Sequence, residues 1–439
     1  MGDFINIKIL GDLFMKKKLK KILKVFLKVI AVILCLILAF ACFSAIANKS
    51  YNKKMIEYAA SFEPVKIENQ LIPEKDADGN WTFTTDRELK IMHLTDVHLG
   101  GGWIPKKNDT LAMNAVAQMI RVEKPDLVVI TGDIAYPVPY QSGAFNNLPP
   151  HETFATLMES LGVYWTVTFG NHDSEFYSTY TREEISEFYS NPDFKYCLYQ
   201  DNNDLYGCGN SVINVKNSQG IITQSIFTID SNAYTGEGLI ETLAWEYDNI
   251  HEDQVEWYKT TVEKNNEYNK NLIATLDNKD ELNEKFEKLN TLLFFHIPIA
   301  EYGDAWFEYA ENGYQDTENA KLIYGTAGES GDVVFSSAIP DTLFETMLAL
   351  GGKHGTFCGH DHVNNFSIEY KGIRLTYGMS IDYLAYLRIS SLGSQRGCTM
   401  ITVKPDGSFD CVAENYYQDK YAHDAREEVT MQVLNEEHK

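Results

Sequence analysis

Cysteines are scarce in this chain of 439 residues, which contains seven of them. Two lie in an apolar N-terminal run, and the other five are odd in number and too few for a disulfide scaffold. None has zinc-finger spacing, so any metal must be bound by other side chains. The sequence leaves two short-range disulfides open, Cys197 with Cys208 and Cys398 with Cys411.

Basic residues are also scarce. The chain has 38 Lys and Arg against 62 Asp and Glu, which gives a formal net charge of −24. A nucleic-acid partner would require a basic face that neutralises phosphates, so we expect no such partner. Hydrophobic residues make up 44% of the chain, which supports a packed core and excludes a disordered protein.

The basic residues that are present are concentrated at the N-terminus. Residues 1–48 contain eight Lys and two Asp, so residues 49–439 carry a net charge of −30. Residues 29–47 include no charge, and 19 residues at 1.5 Å each span roughly the 30 Å core of a bilayer. We predict a cytoplasmic basic segment over 1–28, a single transmembrane anchor over 29–47 and an acidic remainder outside the cytoplasmic membrane.

A cleaved signal peptide is the main alternative to this anchor. The hydrophobic part of a signal peptide usually has about 7–15 residues, so 19 residues favour an anchor. However, residues 39–41 (Ala-Phe-Ala) and 45–47 (Ala-Ile-Ala) both offer small-residue cleavage patterns. Cleavage there would make the protein secreted.

Strand and helix patterns alternate after a predicted stalk and approach over residues 48–88. The first predicted elements are 89–94, 108–123, 126–131, 151–161 and 163–169. Their βαβαβ order indicates an α/β fold with helices packed on a sheet. Further strands are predicted at 211–215, 225–229, 291–295, 366–370, 373–377 and 398–403, with a helix at 252–262. We predict one domain over 89–420, with a polar, solvated helical insertion near 263–290, and a C-terminal tail over 421–439.

Side chains that can bind metals follow four of the predicted strands and the short apolar run Phe357-Cys358, which we predict to be the end of a fifth strand. They are Asp96, His98, Asp133, Asn171, His172, His296, His360 and His362. Ligands bind outside the carboxyl ends of strands in open α/β sheets, and mixed oxygen and imidazole donors suit Zn, Fe or Mn better than Ca. Alternate residues of an extended chain point to opposite faces, so the Asp96/His98 and His360/His362 pairs need turns to converge. Glycines 100–102 and Gly359 provide backbone freedom for such turns.

The order and strand context of these motifs resemble the calcineurin-like metallophosphoesterases. The motifs are Asp96-x-His98, Gly132-Asp133, Gly170-Asn171-His172-Asp173, His296 and Gly359-His360-x-His362. The resemblance implies a four-layer αββα sandwich of two mixed sheets and a metal-dependent hydrolase of phosphate esters. A non-catalytic surface protein that binds phosphorylated ligands is the alternative, and a phosphodiesterase is the alternative to a phosphomonoesterase.

The resemblance also implies roles for individual residues and two divalent or mixed-valence metal ions (Mn, Zn or Fe). One metal would be bound by Asp96, His98, Asp133 and His362, and the other by Asp133, Asn171, His296 and His360. Two cations about 3.5–4 Å apart can share a bridging water or hydroxide and hold both the attacking and the leaving oxygen. His172 would assist the leaving group of a small phosphate-ester substrate.

Tyr136 and Asp173 are expected beside the metals rather than on them. The stretch Gly132-Asp133-Ile134-Ala135-Tyr136 resembles the motif of purple acid phosphatases, in which a tyrosine binds ferric iron. That branch usually lacks the histidine found here as His98, and the two side chains would compete for one metal. Tyr136 is therefore expected beside the metals, and an iron–tyrosinate site stays open as the alternative. Asp173 is expected to orient His172 or to cap the next turn.

Overall fold

The computed structural model describes residues 2–202, 204–236, 244, 246–386 and 396–421, with side chains from residue 17 onward. The predicted C-terminal tail lies outside the described residues except for Tyr421. The strands are β1 (Glu74–Lys75), β2 (Trp81–Thr84), β3 (Leu89–Leu94), β4 (Leu127–Thr131), β5 (Tyr164–Thr168), β6 (Ser211–Lys216), β7 (Ile222–Thr228), β8 (Asn290–Phe294), β9 (Ala320–Tyr324), β10 (His354–Cys358), β11 (Ser367–Tyr370), β12 (Ile373–Tyr377), β13 (Gly397–Val403) and β14 (Phe409–Asn415). The helices are α1 (Gly2–Ala59), α2 (Lys106–Glu123), α3 (Pro139–Ser142), α4 (Leu148–Leu161), α5 (Arg182–Tyr189), α6 (Glu252–Ile273), α7 (Lys279–Lys285), α8 (Glu301–Glu311) and α9 (Leu343–Leu350).

Two mixed sheets form the centre of the fold. The five-stranded sheet has the order β14-β13-β3-β4-β5, and the nine-stranded sheet has the order β1-β2-β6-β7-β8-β10-β12-β11-β9. Strands β3, β4 and β5 are parallel to one another, as are β7, β8, β10 and β12. The remaining pairs are antiparallel apart from β2 with β6, so both sheets are mixed.

Alternation of side chains along the strands separates three apolar layers. On β3, Leu89 and Ile91 face the other sheet, whereas Met92 and Leu94 face the helices. The inner faces of both sheets share one buried cluster, which includes Phe294 of β8. Helices α1, α2 and α4 cover the outer face of the five-stranded sheet, and α6, α8 and α9 cover the other. The predicted four-layer αββα sandwich is confirmed.

Helix α1 combines a solvent-exposed apolar part with a part that packs on the domain. Its stretch Lys17–Ala59 contains an 18-residue window of mean hydropathy 3.0, of which only 6% is buried. By length and composition it can cross a membrane, as an anchor or as a signal sequence. Further along the same helix, Tyr51, Met55 and Ala59 are buried against α2 and α4.

The structure corrects the predicted stalk over residues 48–88. Tyr51, Met55 and Ala59 are four residues apart and thus form one face of a helix, which joins the core. Strand β2 then adds to the nine-stranded sheet by pairing in parallel with β6. Much of this segment is therefore an integral part of the sandwich.

The segment 263–290 is helical over most of its length and most of its residues are exposed, but one of its faces packs on the nine-stranded sheet. Helix α6 continues without a break to Ile273, and it buries Asn265, Asn269 and Ile273 against the sheet and α7. The side-chain amide of Asn269 bonds both backbone groups of Ile222 in β7, at 2.8 Å each. The buried asparagines bond groups of β6 and β7, so one face of this polar helix packs on the sheet while the rest of the helix stays largely exposed.

All seven cysteines lie in the described residues, and all are free. Cys398 and Cys411 lie on the neighbouring strands β13 and β14, but Cys411 is opposite Ile401. Neither of the two disulfides that the sequence left open is formed.

Candidate metal centre

The candidate ligands converge at one edge shared by the two sheets. Asp96 and His98 follow β3, Asp133 follows β4 and Asn171 follows β5, all from the five-stranded sheet. His296, His360 and His362 follow β8 and β10 of the other sheet, which are parallel neighbours. Carboxyl ends of parallel strands open at the same edge, so seven residues distant in sequence meet there.

Four of these residues have a left-handed backbone. The φ angles of Asp96, His98, Asp133 and His360 are 52°, 50°, 51° and 74°, in a region that non-glycine residues rarely occupy. The turns that bring the ligand pairs together are thus made by the ligands themselves and not only by glycines 100–102. Such strained residues cluster at functional sites, where the surrounding structure holds them in place.

The first group of ligands comprises Asp96, His98, Asp133 and His362. Each offers a donor atom, and the four atoms all lie within 4.8 Å of one another. His98 Nε2 is 3.2 Å from Asp133 Oδ2, and His362 Nε2 is 3.4 Å from Asp96 Oδ1. All four residues are buried. This geometry is that of a site which could hold one metal ion.

The second group lies on the other side of Asp133. His296 Nε2 is 3.2 Å from Asp133 Oδ2 and 3.2 Å from Asn171 Oδ1. The rings of His296 and His360 are 5.2 Å apart. Burial and the neighbouring His296 hold the pKa of His360 well below its ordinary value, and neutral imidazole is the form that binds metals. Asp133 Oδ2 therefore lies between the imidazole nitrogens of both groups.

Outer contacts orient three of the imidazoles so that Nε2 faces the centre. The carboxylate of Asp382 lies 3.1 Å from His362 Nδ1 and 3.3 Å from His98 Nδ1. His296 Nδ1 is 2.7 Å from the carbonyl oxygen of Thr131. Carboxylates and carbonyls that hold the second nitrogen are the usual support of metal-binding histidines.

Asp382 was missed in the sequence. It lies five residues beyond β12 and has no neighbouring histidine or asparagine that would form a motif. Its only signal is that β12 runs parallel to β10, so that its carboxyl end opens at the same edge as His360 and His362.

The electrostatics of the centre favour bound cations. Burial alone would lower the pKa of His98, but Asp382 and Asp133 raise it to about 9. Burial would likewise lower the pKa of His296, which Asp133 raises to about 9. For Asp133, burial favours the neutral acid, yet His296 and His172 hold its pKa well below the ordinary value. Buried carboxylates of this kind require nearby positive charge, which protons or metal ions can provide. The donor set therefore fits metal ions.

His172 stands beside the two groups and is held by a second carboxylate. Its Nδ1 is 2.7 Å from Glu175 Oε1, and the Glu175 side chain is only 3% exposed. The hydroxyl of Tyr234 donates to the same oxygen at 3.4 Å, and it accepts from the Asn171 amide at 3.1 Å. Glu175 was also missed, although it lies three residues after His172 in a 3₁₀ turn that brings it back.

Asp173 and Tyr136 both lie near the centre. The contacts of Asp173 differ from those that we predicted. The Asp173 carboxylate accepts from the backbone N–H groups of Asp133, Ala135 and Gly170, so it ties two ligand loops together and does not orient His172. The Tyr136 ring lies 4.9 Å from the ring of His172 and also 4.9 Å from that of His98, while its hydroxyl donates to Gln141 at 3.3 Å.

A cleft of about 200 Å³ opens over these residues. Asp133, His172, His360 and His362 form its polar floor, and aromatic side chains wall it. Tyr136, Tyr247, Phe335 and Tyr386 are the aromatic residues that line it.

Residues 89–364 match the sequence profile of the calcineurin-like phosphoesterases. The chain belongs to this family. The match includes all seven candidate ligands, so the resemblance seen in the motifs is confirmed. This phosphoesterase is 26% identical over 328 residues to a protein of Arabidopsis thaliana named "Probable inactive purple acid phosphatase 28", with 70% of this chain and 73% of that protein covered.

A yeast relative and a solved structure are also similar to the phosphoesterase. The chain is 25% identical over 354 residues to the phosphatase DCR2 of Saccharomyces cerevisiae, with 75% of this chain and 54% of that protein covered. A dimetal phosphatase from Danio rerio aligns with a TM-score of 0.47 and 10% identity, over 76% of this chain and 98% of that one. The family match over residues 89–364 makes the chain a calcineurin-like metallophosphoesterase, with an Asp/His cluster that could hold metal.

Proposed function

We propose that the protein hydrolyses phosphate esters at a dinuclear metal centre and acts outside the cytoplasmic membrane, to which α1 anchors it. The observation that carries this proposal is the position of Asp133. Its Oδ2 lies 3.2 Å from Nε2 of both His98 and His296, which belong to different ligand groups. A carboxylate in that position can bridge two cations.

The two groups divide the ligands between the metals. Asp96, His98, Asp133 and His362 would hold one ion, and Asp133, Asn171, His296 and His360 would hold the other. When bound, two such cations lower the pKa of a water toward neutrality and stabilise the charge that gathers on phosphoryl oxygens. Mn, Zn and Fe all suit these donors, whereas the Tyr136 hydroxyl, which bonds Gln141, does not support a tyrosinate ligand.

His172 is the group placed to protonate the leaving oxygen. It lines the cleft beside Asp133, and its side chain is 26% exposed. The buried Glu175 carboxylate holds Nδ1, so that Nε2 can face a substrate. This pair favours transfer of a proton to the departing alcohol.

The cleft favours a phosphomonoester as substrate. Its volume of about 200 Å³ is below the roughly 300–1,000 Å³ of pockets that enclose drug-sized ligands. A terminal phosphoryl group fits such a site without requiring room for a second ester substituent.

Replacement of single ligands tests the proposal. We expect D133A and H360A to lower turnover of an aryl phosphate by at least about 10²-fold, the order of effect seen when transition-state charge loses one stabilising group. The matched control is D410A, since the Asp410 side chain is 68% exposed and pairs with the surface residue Lys404. Full activity in D133A, in a folded and metal-loaded protein, would refute the assignment.

A non-catalytic binder of phosphorylated ligands is the second candidate. It is favoured by the word "inactive" in the names of the plant relatives. It predicts tight retention of inorganic phosphate but no turnover of phosphate esters with added Mn or Zn. The presence of every expected ligand, and of His172 with Glu175, supports the enzyme.

A further inference from the structure

Four exposed apolar side chains lie together near the edge of the cleft. Ile104, Tyr140, Phe145 and Phe176 are 42%, 80%, 54% and 46% exposed, and we refer to them as the apolar rim. Ile104 and Phe176 lie in loops that follow the His98 and His172 motifs, and Tyr140 and Phe145 lie in and just after the short helix α3.

Contacts between these segments make the rim one surface. A Cβ placed on Gly143 would lie 3.1 Å from Ile104 Cδ1, so the loop of Ile104 touches the segment that follows α3. The ring of Tyr177 lies 6.4 Å from that of Phe145 and 5.1 Å from that of Phe176, which joins that segment to the loop of Phe176. Tyr177 also packs against the buried cluster of Tyr136, Val138 and Leu384, of which Tyr136 lines the cleft.

The rim is attached directly to the apolar part of α1. The indole N–H of Trp103, next to Ile104, donates to Ser44 Oγ at 3.2 Å, and its ring packs edge-on against Phe43 at 5.4 Å. The Trp103 backbone N–H donates to Asn48 Oδ1, and the Asn48 amide donates to Gly143 O, both at 2.9 Å. The loops that carry the rim are therefore fixed to residues 43–48 of the helix.

These contacts set the depth of the rim relative to a membrane. Ser44 lies three residues before the end of the apolar run at residue 47, which is about 4.5 Å at 1.5 Å per residue. Trp103 thus lies at the level of the last turn of the span, where Trp and Tyr are enriched in membrane proteins. Lys106 and Lys107, both exposed, follow Ile104 and can meet anionic headgroups, although the domain as a whole is acidic.

We propose that the apolar rim contacts the outer surface of the lipid bilayer that α1 spans, and that the site thereby acts on phosphate esters of membrane amphiphiles. This inference rests on the proposed function and location. Tyr177 and the cluster that includes Tyr136 connect the rim to the cleft, so a substrate phosphate at headgroup level would be presented to the cleft.

Photo-crosslinking of the full chain in vesicles tests the contact. Phe145 is replaced by p-benzoylphenylalanine, and the matched control carries the same replacement at Phe307, which is 51% exposed on helix α8. We expect lipid adducts, detected by mass spectrometry, to be about tenfold more abundant at position 145, a ratio equal to 1.4 kcal/mol of preference. A second variant at Tyr140 repeats the test. Equal adducts at all positions, or none at 140 and 145, would overturn the proposal.

Two activity assays separate this inference from the proposed function. In vesicles that contain a diacylglycerol monophosphate, a Y140S/F145S double variant should hydrolyse that lipid about tenfold more slowly, as expected when about 1.4 kcal/mol of surface binding is lost. Its turnover of a water-soluble aryl phosphate should be unchanged, and F307S should behave like the parent in both assays.

Aryl phosphate turnover without any hydrolysis of the lipid would refute only the membrane substrate. Absence of both activities in the parent would refute the proposed function as well.

Discussion

Single carboxylates fix the imidazoles around the candidate metal centre. Asp382 holds the Nδ1 atoms of His98 and His362, and Glu175 holds that of His172. Neither carboxylate is part of a recognisable motif, yet both determine which nitrogen faces the cleft. The contribution of these two carboxylates to metal binding and proton transfer can therefore be measured separately from that of the ligands.

Replacement of Asp382 should weaken metal binding. We expect D382N to lower the affinity of the metal-stripped protein for Mn²⁺ by about 10–100-fold, the usual cost of losing an outer partner of a metal-bound histidine. Isothermal titration calorimetry measures the affinity, with D410N as the exposed control. Unchanged affinity in D382N would show that the two histidines are oriented by other groups.

Replacement of Glu175 should affect proton transfer more than metal binding. We expect E175Q to lower kcat by about 10²-fold for an alkyl phosphate, at the lower end of effects seen for general acids, and by much less for a nitrophenyl phosphate that needs no proton. Metal content and KM should stay near the parent values. The control is E183Q, at an exposed carboxylate on α5. An equal loss with both substrates would contradict the role assigned to the His172–Glu175 pair.

At the scale of elements, the apolar strands and the side chains at their ends were predictable. Strands β3 and β12 have the predicted bounds. Strand β3 is a short, mostly apolar run, and β12 alternates apolar and polar residues between Gly372 and Gly378. Strand β10 was recognised only at its end, since His354 and Gly355 are poor strand formers. It forms because it lies between β8 and β12, and His354 Nδ1 bonds Thr291 Oγ1 at 2.7 Å. These contacts, like those of Asp382, join residues that are far apart in sequence, so local sequence patterns do not indicate them.

Gly359 is required where β10 ends close to β3. A Cβ at this position would collide with Thr95 Oγ1 and lie 2.7 Å from Asp96 Oδ2. We expect G359A to lower the free energy of unfolding by about 1–3 kcal/mol, as overpacking does, and to weaken metal binding. Thermal unfolding and metal titration measure the two effects.

Gly303 provides the matched control for that change. It lies in helix α8, and a Cβ there would be 3.7 Å from Val334, an ordinary contact. G303A should be neutral or slightly stabilising, because alanine favours a helix. Equal stability of G359A and G303A would contradict the close approach of the two strand ends.

At the scale of the whole molecule, helix α1 supports the site as well as carrying the apolar span. The Tyr51 hydroxyl donates to Asp109 Oδ2 at 2.8 Å. The same carboxylate accepts from the backbone N–H groups of Gly100 and Gly101, two and three residues after His98. The end of the helix is thereby connected to a ligand loop, which the sequence pattern of a stalk did not indicate.

Truncation of the chain tests this connection. A chain that starts at residue 49 retains Tyr51, Met55 and Ala59 and should fold with full metal affinity. A chain that starts at residue 61 lacks these buried side chains and should lose at least about 3 kcal/mol of stability, as large deletions in a core do. Chemical denaturation compares the two proteins. Identical stabilities would show that residues 48–59 do not contribute to the stability of the core.

Anomalous diffraction from crystals of the Mn-loaded protein tests the central claim most directly. We predict two adjacent Mn peaks, one within coordinating distance of Asp96, His98 and His362, and one of Asn171, His296 and His360, with Asp133 touching both. A single peak, or peaks away from Asp133, would contradict the dinuclear centre.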